Sequence, residues 1–194
     1  SSRSGYAACL TIGPAYLTQS LLKVNRTGNT TLSREEPQND HTASLAVLTE
    51  GSTVGHYKIL RLLGAGGMGE VYLAEDTGLK RQVALKFLSA HLCAGEENRK
   101  RFTREAQSVA KLDHPHIVTV HEVAEHQGRP FFAMAFVEGQ LLRDIVSSEG
   151  IPLEQALDIA IQIGEGLEAA HEAGITHRDI KPSNVLIDSH GRAR

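Results

Sequence analysis

A glycine-rich stretch followed at once by a strand pattern is the feature that most narrows the fold. In LGAGGMGEVYLAED, Gly64, Gly66 and Gly69 have G-x-G-x-x-G spacing, and residues without a Cβ let the backbone approach phosphate oxygens closely. In a dinucleotide-binding fold such glycines open a helix, whereas EVYLAED alternates as a strand does. The pattern predicts a loop between two antiparallel strands that lies over phosphates. A glycine-rich hairpin without a ligand is the alternative.

Strand-like and helix-like runs follow one another in a definite order along the chain. YKILRLL begins at Tyr57, EVYLAED follows the glycines, and QVALKFL comes after the turn signal TGLK. ENRKRFTREAQSVAKL has apolar residues at spacings of three and four, which indicates a helix. Two more strands, HIVTVHEVA and PFFAMAFV, precede a helix from about Leu153 to Glu172 that Gly174 ends. The sequence thus predicts an α+β fold with an antiparallel, β-rich first half and a helical second half.

Two charged residues in these elements are candidates for a phosphate site. The run VALK places Lys86 between apolar neighbours, and a buried ammonium requires an anion. Glu105 lies beside the apolar stripe of the following helix and can supply one, which would make the lysine a rigid donor for ligand phosphates. A purely structural ion pair, or two solvated charges, is the alternative.

Composition limits the kinds of binding partner and the cellular compartment that can be expected for this protein. Residues 25–44 contain hardly an apolar side chain, so residues 1–50 are predicted to be a largely disordered tail or linker. A net charge of -3 argues against general attraction to nucleic acid or anionic membranes. Cys9 and Cys93 lack the spacing of a disulfide framework or zinc site, and no apolar run approaches the ~20 residues of a membrane-spanning helix. A cytoplasmic protein with no membrane segment in these residues is expected.

The stretch HRDIKPSN supplies the residues that suggest a family. With the glycine loop, Lys86 and Glu105 ahead of it in that order, the sequence resembles the protein kinases. LGAGGMGEVYLAED, HPHIV and GITHRDIKPSN are most similar to bacterial eukaryotic-type (Hanks-type) Ser/Thr kinases. The resemblance implies a kinase domain over residues 57–194, with an N-lobe at about 57–138 and the start of a helical C-lobe at about 139–194. It also implies ATP and Mg²⁺ as cofactors and protein Ser/Thr hydroxyls as acceptors.

The resemblance assigns roles within HRDIKPSN. Asp179 is implied to be the catalytic base or orienting carboxylate for a substrate hydroxyl, and Asn184 a ligand of one magnesium ion. Lys181 occupies the position at which Ser/Thr kinases carry a lysine that can meet the transferred phosphoryl group. His177 resembles a structural residue of this loop, and Arg178 resembles an arginine that reads a phosphorylated activation loop in many members.

The resemblance also implies an ATP site built from several segments. Met134 matches the gatekeeper position, and the next three residues match the hinge that binds adenine through main-chain atoms. Many bacterial members carry an acidic residue where Ala135 stands, a departure expected to have a mild effect. The residues assigned to ATP binding are Leu63, Gly64, Ala65, Gly66, Gly67, Met68, Gly69, Glu70, Val71, Ala84, Lys86, Glu105, Met134, Ala135, Phe136 and Val137.

A D-F-G motif, which carries the second magnesium ligand in the family, does not occur in the sequence up to Arg194. The chain is therefore expected to be the N-terminal part of a Ser/Thr kinase, and to be inactive or nearly so by itself. Two alternatives remain open. One is a pseudokinase, a signalling module that binds nucleotide without catalysis. The other is a dinucleotide-binding oxidoreductase, which the glycines alone suggest and which requires a helix directly after Gly69.

Overall fold

The computed structural model describes residues 48–66, 69–89 and 106–194. Its strands are β1 (Thr53–Val54), β2 (Tyr57–Gly66), β3 (Gly69–Asp76), β4 (Arg81–Leu88), β5 (Val120–His126), β6 (Arg129–Ala135), β7 (Gly139–Leu141) and β8 (Leu186–Asp188). Its helices are α1 (Leu142–Glu149) and α2 (Leu153–Glu172), with a 3-10 turn at Pro182–Asn184. Six strands form one antiparallel sheet in the order β1-β2-β3-β4-β6-β5, and β7 pairs with β8. The predicted α+β class, with its antiparallel first half, is confirmed.

Strand β4 has a hydrophobic cluster on each face because successive side chains of a strand point in opposite directions. The first cluster, called the loop-side cluster, consists of Val71, Ala84, Leu88, Ala106, Val118, Val120, Phe132, Met134, Leu141 and Leu186. The second, called the back cluster, consists of Val54, Tyr57, Ile59, Tyr72, Ala74, Val83, Leu85, Phe87, Phe131 and Ala133. The large sheet therefore separates two apolar cores, and a polar residue on one face cannot contact a ligand on the other.

Helix α2 matches the predicted bounds, and its ends explain why. Gly174 adopts a left-handed φ of 74°, and its N–H donates to the carbonyl of His171, which is a common way for a helix to end at glycine. Buried Ile159 joins a third cluster with Leu142, Val185, Ile187 and Ala193. This cluster ties α2 to α1 and to β8. Neither described helix has both the length and the apolar character needed to cross a membrane.

Strand β1, helix α1 and the start of β5 differ from the sequence-based expectations. Strand β1 precedes the predicted first strand, and its Val54 pairs with Tyr57 and is fully buried in the back cluster. Helix α1, at eight residues, was not predicted. The strand expected from HIVTVHEVA begins only at Val120, because residues before it form a turn in which the Ile117 N–H donates to the His114 carbonyl. Most of the helix predicted from ENRKRFTREAQSVAKL lies outside the described residues, which are helical at 106–109.

Candidate active site

The loop at residues 175–181 connects α2 to the 3-10 turn that precedes β8. Its first contact is the Ile175 N–H, which donates to the Ala170 carbonyl of α2. Arg178 has a left-handed φ of 63°, a conformation uncommon for residues other than glycine. The loop ends in the 3-10 turn, where the Asn184 N–H donates to the Lys181 carbonyl at 2.8 Å. Main-chain hydrogen bonds thus hold the backbone in place on both sides of Asp179.

The Asp179 carboxylate is shared by two neighbours. Lys181 Nζ lies 2.8 Å from Oδ2 of Asp179, and Asn184 Nδ2 donates to the same oxygen at 3.0 Å and to the Asp179 carbonyl at 2.8 Å. The hydrogen bond from Lys181, supported by that from Asn184, holds the pKa of Asp179 below its ordinary value. Asp179 is therefore ionised at neutral pH. The structure brings these three sequence-predicted residues together.

His177, which is partly buried, supports this arrangement. Burial lowers the pKa of His177, and the Lys86 ammonium lowers it further against the opposing effect of Asp179. The ring is therefore neutral at neutral pH, and its Nδ1 accepts a hydrogen bond from the Asp179 N–H at 3.3 Å. Lys86 and the loop face the same region, because the strand neighbours of Lys86 and Leu186, two residues after Asn184, belong to one apolar cluster.

Lys86 is a buried cation on the loop-side face of the sheet. It is only 1% exposed, and its register partners are Val71 on β3 and Phe132 on β6, both in the loop-side cluster. The alternative of a solvated surface lysine is therefore wrong. Glu105, the partner expected from the sequence, lies outside the described residues.

The glycine segment connects two antiparallel strands, with Gly66 paired to Gly69. A strand follows Gly69 directly, so the oxidoreductase alternative, which requires a helix there, is wrong. Gly69 has a φ of +124°, and a Cβ at this position would lie 1.9 Å from the Phe87 carbonyl oxygen. Only glycine fits this site without displacing the backbone. Gly67 and Met68 lie outside the described residues.

An apolar surface lies next to Lys86 and continues to residues 135–137, which connect the β-rich first half of the chain to the helical second half. Met134 is buried in the loop-side cluster, while Leu63, Ala135 and Val137 pack against it at partial burial. Phe136 lies between the latter two residues and is also partly buried. The sequence-based assignment omitted two residues that complete this surface, Leu141 and Leu186. The apolar run VLI directly after Asn184 was the available signal for Leu186.

The other assigned residues fall on the strands around this surface. Gly64 and Ala65 lie near the end of β2. Val71 is buried on β3, and Ala84 is buried on β4 two residues before Lys86. Glu70 differs from them, because its carboxylate contacts Arg129 on the opposite, back face of the sheet. The Glu70 side chain therefore does not point to the surface that Lys86 occupies.

The donors available for a cation are oxygen atoms. Within the described ranges, no group of three or more His, Cys, Asp or Glu residues could hold a metal ion. Asn184 donates through Nδ2 to Asp179, so its amide oxygen is the atom directed elsewhere. Amide and carboxylate oxygens suit Mg²⁺, which commonly takes one or two protein ligands together with substrate phosphates. The Asn184 amide oxygen fits one ligand position of such an ion.

Comparison with known proteins identifies relatives over most of the chain. The family model described as protein kinase domain matches residues 57–194. Serine/threonine-protein kinase PknF of Mycobacterium tuberculosis (strain ATCC 25618 / H37Rv) is 48% identical over 144 residues, which cover 72% of this chain and 30% of PknF. Serine/threonine-protein kinase PrkC of Bacillus subtilis (strain 168) is 44% identical over 142 residues, covering 72% of this chain and 22% of PrkC. The chain thus matches less than a third of the length of these relatives.

A solved structure shows the same fold. The crystal structure of the M. tuberculosis PknI kinase domain matches with a TM-score of 0.70 at 37% sequence identity. The match covers 76% of this chain and 59% of the PknI chain. The antiparallel sheet and the helices that follow it are therefore the arrangement of a known domain. The residues that the protein kinase domain model matches include the glycine segment, Lys86 and the Asp179 loop.

Proposed function

Because the chain belongs to the protein kinase family, we propose that the protein transfers the γ-phosphoryl group of ATP to Ser or Thr hydroxyls of other proteins. The observation that carries the proposal is that buried Lys86 lies on the side of β4 that faces the loop-side cluster, which also contains Leu186, two residues after the Asp179–Lys181–Asn184 group. The similarity to PknF and PrkC, both named as serine/threonine-protein kinases, supports the choice of acceptor.

The proposed reaction moves one proton and one phosphoryl group. The substrate hydroxyl oxygen forms a bond to the γ-phosphorus while the bond from that phosphorus to the β–γ bridging oxygen breaks, so that ADP leaves. The hydroxyl proton passes to the Asp179 carboxylate, which is ionised at neutral pH. Oδ2 of Asp179 already accepts from Lys181 and Asn184, which leaves Oδ1 better placed to accept this proton.

Charge placement explains the proposed roles of the two lysines. Lys86, held in an apolar setting, interacts with the ATP phosphates more strongly than a solvated lysine would, because the local dielectric constant is low. Lys181 is 44% exposed at its side chain and lies beside Asp179, where its ammonium can meet the phosphoryl group during transfer. A bound Mg²⁺, with the Asn184 oxygen as one ligand, would offset phosphate charge.

The proposed nucleotide position follows from the apolar surface. Adenine packs among Leu63, Ala84, Met134 and Leu186, and main-chain atoms at residues 135–137 bind its polar edge. The backbone of the glycine segment then lies over the phosphates, where residues 64 and 66 leave room because no heavy atom lies within 4 Å of a Cβ placed there.

The proposed site of action is the cytoplasm, and the proposed partners are proteins rather than nucleic acids, in keeping with a net charge of -3.

Two substitutions test this function. Asp179→Asn should lower transfer from labelled ATP to a Ser/Thr peptide by roughly 10²–10⁴-fold, the usual contribution of a positioned general base. Lys86→Met should also lower transfer, and it should weaken ATP binding measured by calorimetry. Asp144→Asn, which alters an exposed pair with Arg143, is the control and should change neither quantity.

The outcomes separate the kinase from the pseudokinase alternative. ATP binding that depends on Lys86, without transfer that depends on Asp179, would favour a nucleotide-binding module. Undiminished transfer by Asp179→Asn would refute the role given to that carboxylate. The chain spans 30% of PknF and 22% of PrkC. The transfer assay should therefore use a form of the protein long enough for the wild type to show transfer.

A further inference from the structure

The ion pair Arg129–Glu70 lies on the back face of the sheet, next to the residue at which the glycine segment ends. Arg129 is the first residue of β6, and its guanidinium lies 5.0 Å from the centroid of the Phe87 ring on β4. The same guanidinium contacts the Glu70 carboxylate on β3 through NH2. The Arg129 side chain therefore spans from β6 over β4 to β3.

The pair is shielded from water more than most surface ion pairs. The side chains of Arg129 and Glu70 are 13% and 21% exposed, whereas those of the pair Arg143–Asp144 are 59% and 55% exposed. Exposed pairs contribute little to stability because water screens them. A partly buried guanidinium that also rests on an aromatic ring gains from both contacts.

Glu70 is well placed to transmit this attachment to the glycine segment. It follows Gly69 directly, and it pairs in register with Ala65 on β2 and Phe87 on β4. Its neighbour Val71 belongs to the loop-side cluster, so the Glu70 side chain faces away from the proposed nucleotide site. An effect of Arg129 on nucleotide binding would therefore act through the backbone at the return of the glycine segment, not through contact with the ligand.

We propose that Arg129 is a positioning residue that fixes the glycine segment through Glu70. Anchoring the first residues of β3 reduces the conformational freedom that Gly69 and Glu70 would lose on binding phosphates, and pre-organisation of this kind raises affinity. The inference rests on the proposed function in one respect, since the phosphates are those of ATP. The structural part, that the pair orders residues 69–71 and their strand partners at 64–66, is independent of the ligand.

The experiment compares Arg129→Gln, Glu70→Gln and the double variant with the wild-type chain. Each single variant should accelerate amide hydrogen exchange in the peptides that contain residues 64–71, and should raise the dissociation constant for the ATP analogue AMP-PNP with Mg²⁺ by about tenfold. The double variant should be no weaker than either single variant, because both remove the same interaction. Arg129→Lys, which keeps the cation, should restore part of the affinity.

Arg143→Gln is the matched control, since it removes an arginine from an exposed ion pair away from the sheet. It should alter neither exchange in residues 64–71 nor AMP-PNP binding. Wild-type exchange rates in Arg129→Gln and Glu70→Gln, or additive effects in the double variant, would overturn the inference while leaving the proposed function intact. If the wild-type chain bound no AMP-PNP but the variants still showed faster exchange in the peptides that contain residues 64–71, the positioning role would stand and the proposed nucleotide would be wrong.

Discussion

The charge of Asp179 depends on two residues that lie within the same short loop. Lys181 and Asn184 both reach Oδ2 of Asp179, so the carboxylate stays ionised without help from distant parts of the chain. A lowered pKa also links this carboxylate to stability. Its contribution is fully present above the pKa of an unfolded aspartate, about 3.9, and is lost as the pH falls through the lower value of the folded state.

Lys181→Met should raise the pKa of Asp179, because the hydrogen bond from Lys181 is the largest cause of the present lowering. Protonation of Asp179 should then begin at a higher pH than in the wild type. NMR titration of the labelled aspartate carboxyl carbons measures this shift directly and requires no activity. Lys80→Met, which removes an exposed partner of Glu75, is the control and should leave the Asp179 titration unchanged. An unchanged Asp179 titration in Lys181→Met would show that the ion pair does not form in solution.

The sequence was most informative where the determining contacts are local. Asp179, Lys181 and Asn184 contact one another because their spacing places them in one loop and one turn, and the motif alone was enough to group them. Arg129 was not found, because its partner Glu70 is 59 positions away and only the register of three strands brings the two together. Non-local pairs of this kind leave no periodic signal in the sequence.

At the scale of elements, length decided which strands and helices could be predicted. The strands β2, β3 and β4, with eight to ten residues each, and the 20-residue helix α2 carry enough apolar repeats to be recognised. The three-residue strands β7 and β8 carry almost no apolar repeats. They pair with each other although the loop that contains Asp179 lies between them in the sequence. Gly139 permits this pairing, since a Cβ there would lie 2.2 Å from the Ile187 carbonyl oxygen.

The β7–β8 ribbon places Leu186 in the loop-side cluster, and truncation of the Leu186 side chain tests how the ribbon supports the proposed nucleotide surface. Leu186 is fully buried, so Leu186→Ala should lower the free energy of unfolding by about 2–5 kcal/mol in chemical denaturation. AMP-PNP affinity should also fall, because the cavity opens beside Met134 and Ala84. Leu79→Ala is the control: Leu79 is 67% exposed, and the expected change is within about 0.5 kcal/mol. Equal stability of the two variants would contradict the burial of Leu186.

At the scale of the whole molecule, the second half of the chain has a large apolar surface. Leu153, Leu157 and Ile161 recur every four residues on α2 and are 75%, 55% and 59% exposed. A cavity of about 110 Å³ under the same helix is lined mainly by apolar side chains, among them Ile163 and Leu167. Exposed apolar side chains on one helix favour association. The solved PknI kinase domain contains further residues beyond the match, which covers 59% of it.

The exposed stripe of α2 should make the 194-residue chain self-associate as its concentration rises. Leu157→Glu should weaken this association, since it places a charge in the middle of the stripe, and sedimentation velocity from micromolar to hundreds of micromolar measures the effect. Gln155→Glu adds the same charge at an exposed position of the same helix outside the stripe, and it should associate as the wild type does. The comparison separates the loss of apolar contact from simple charge repulsion, which both variants share. If both variants weakened association equally, net charge and not the α2 stripe would control the assembly of the chain.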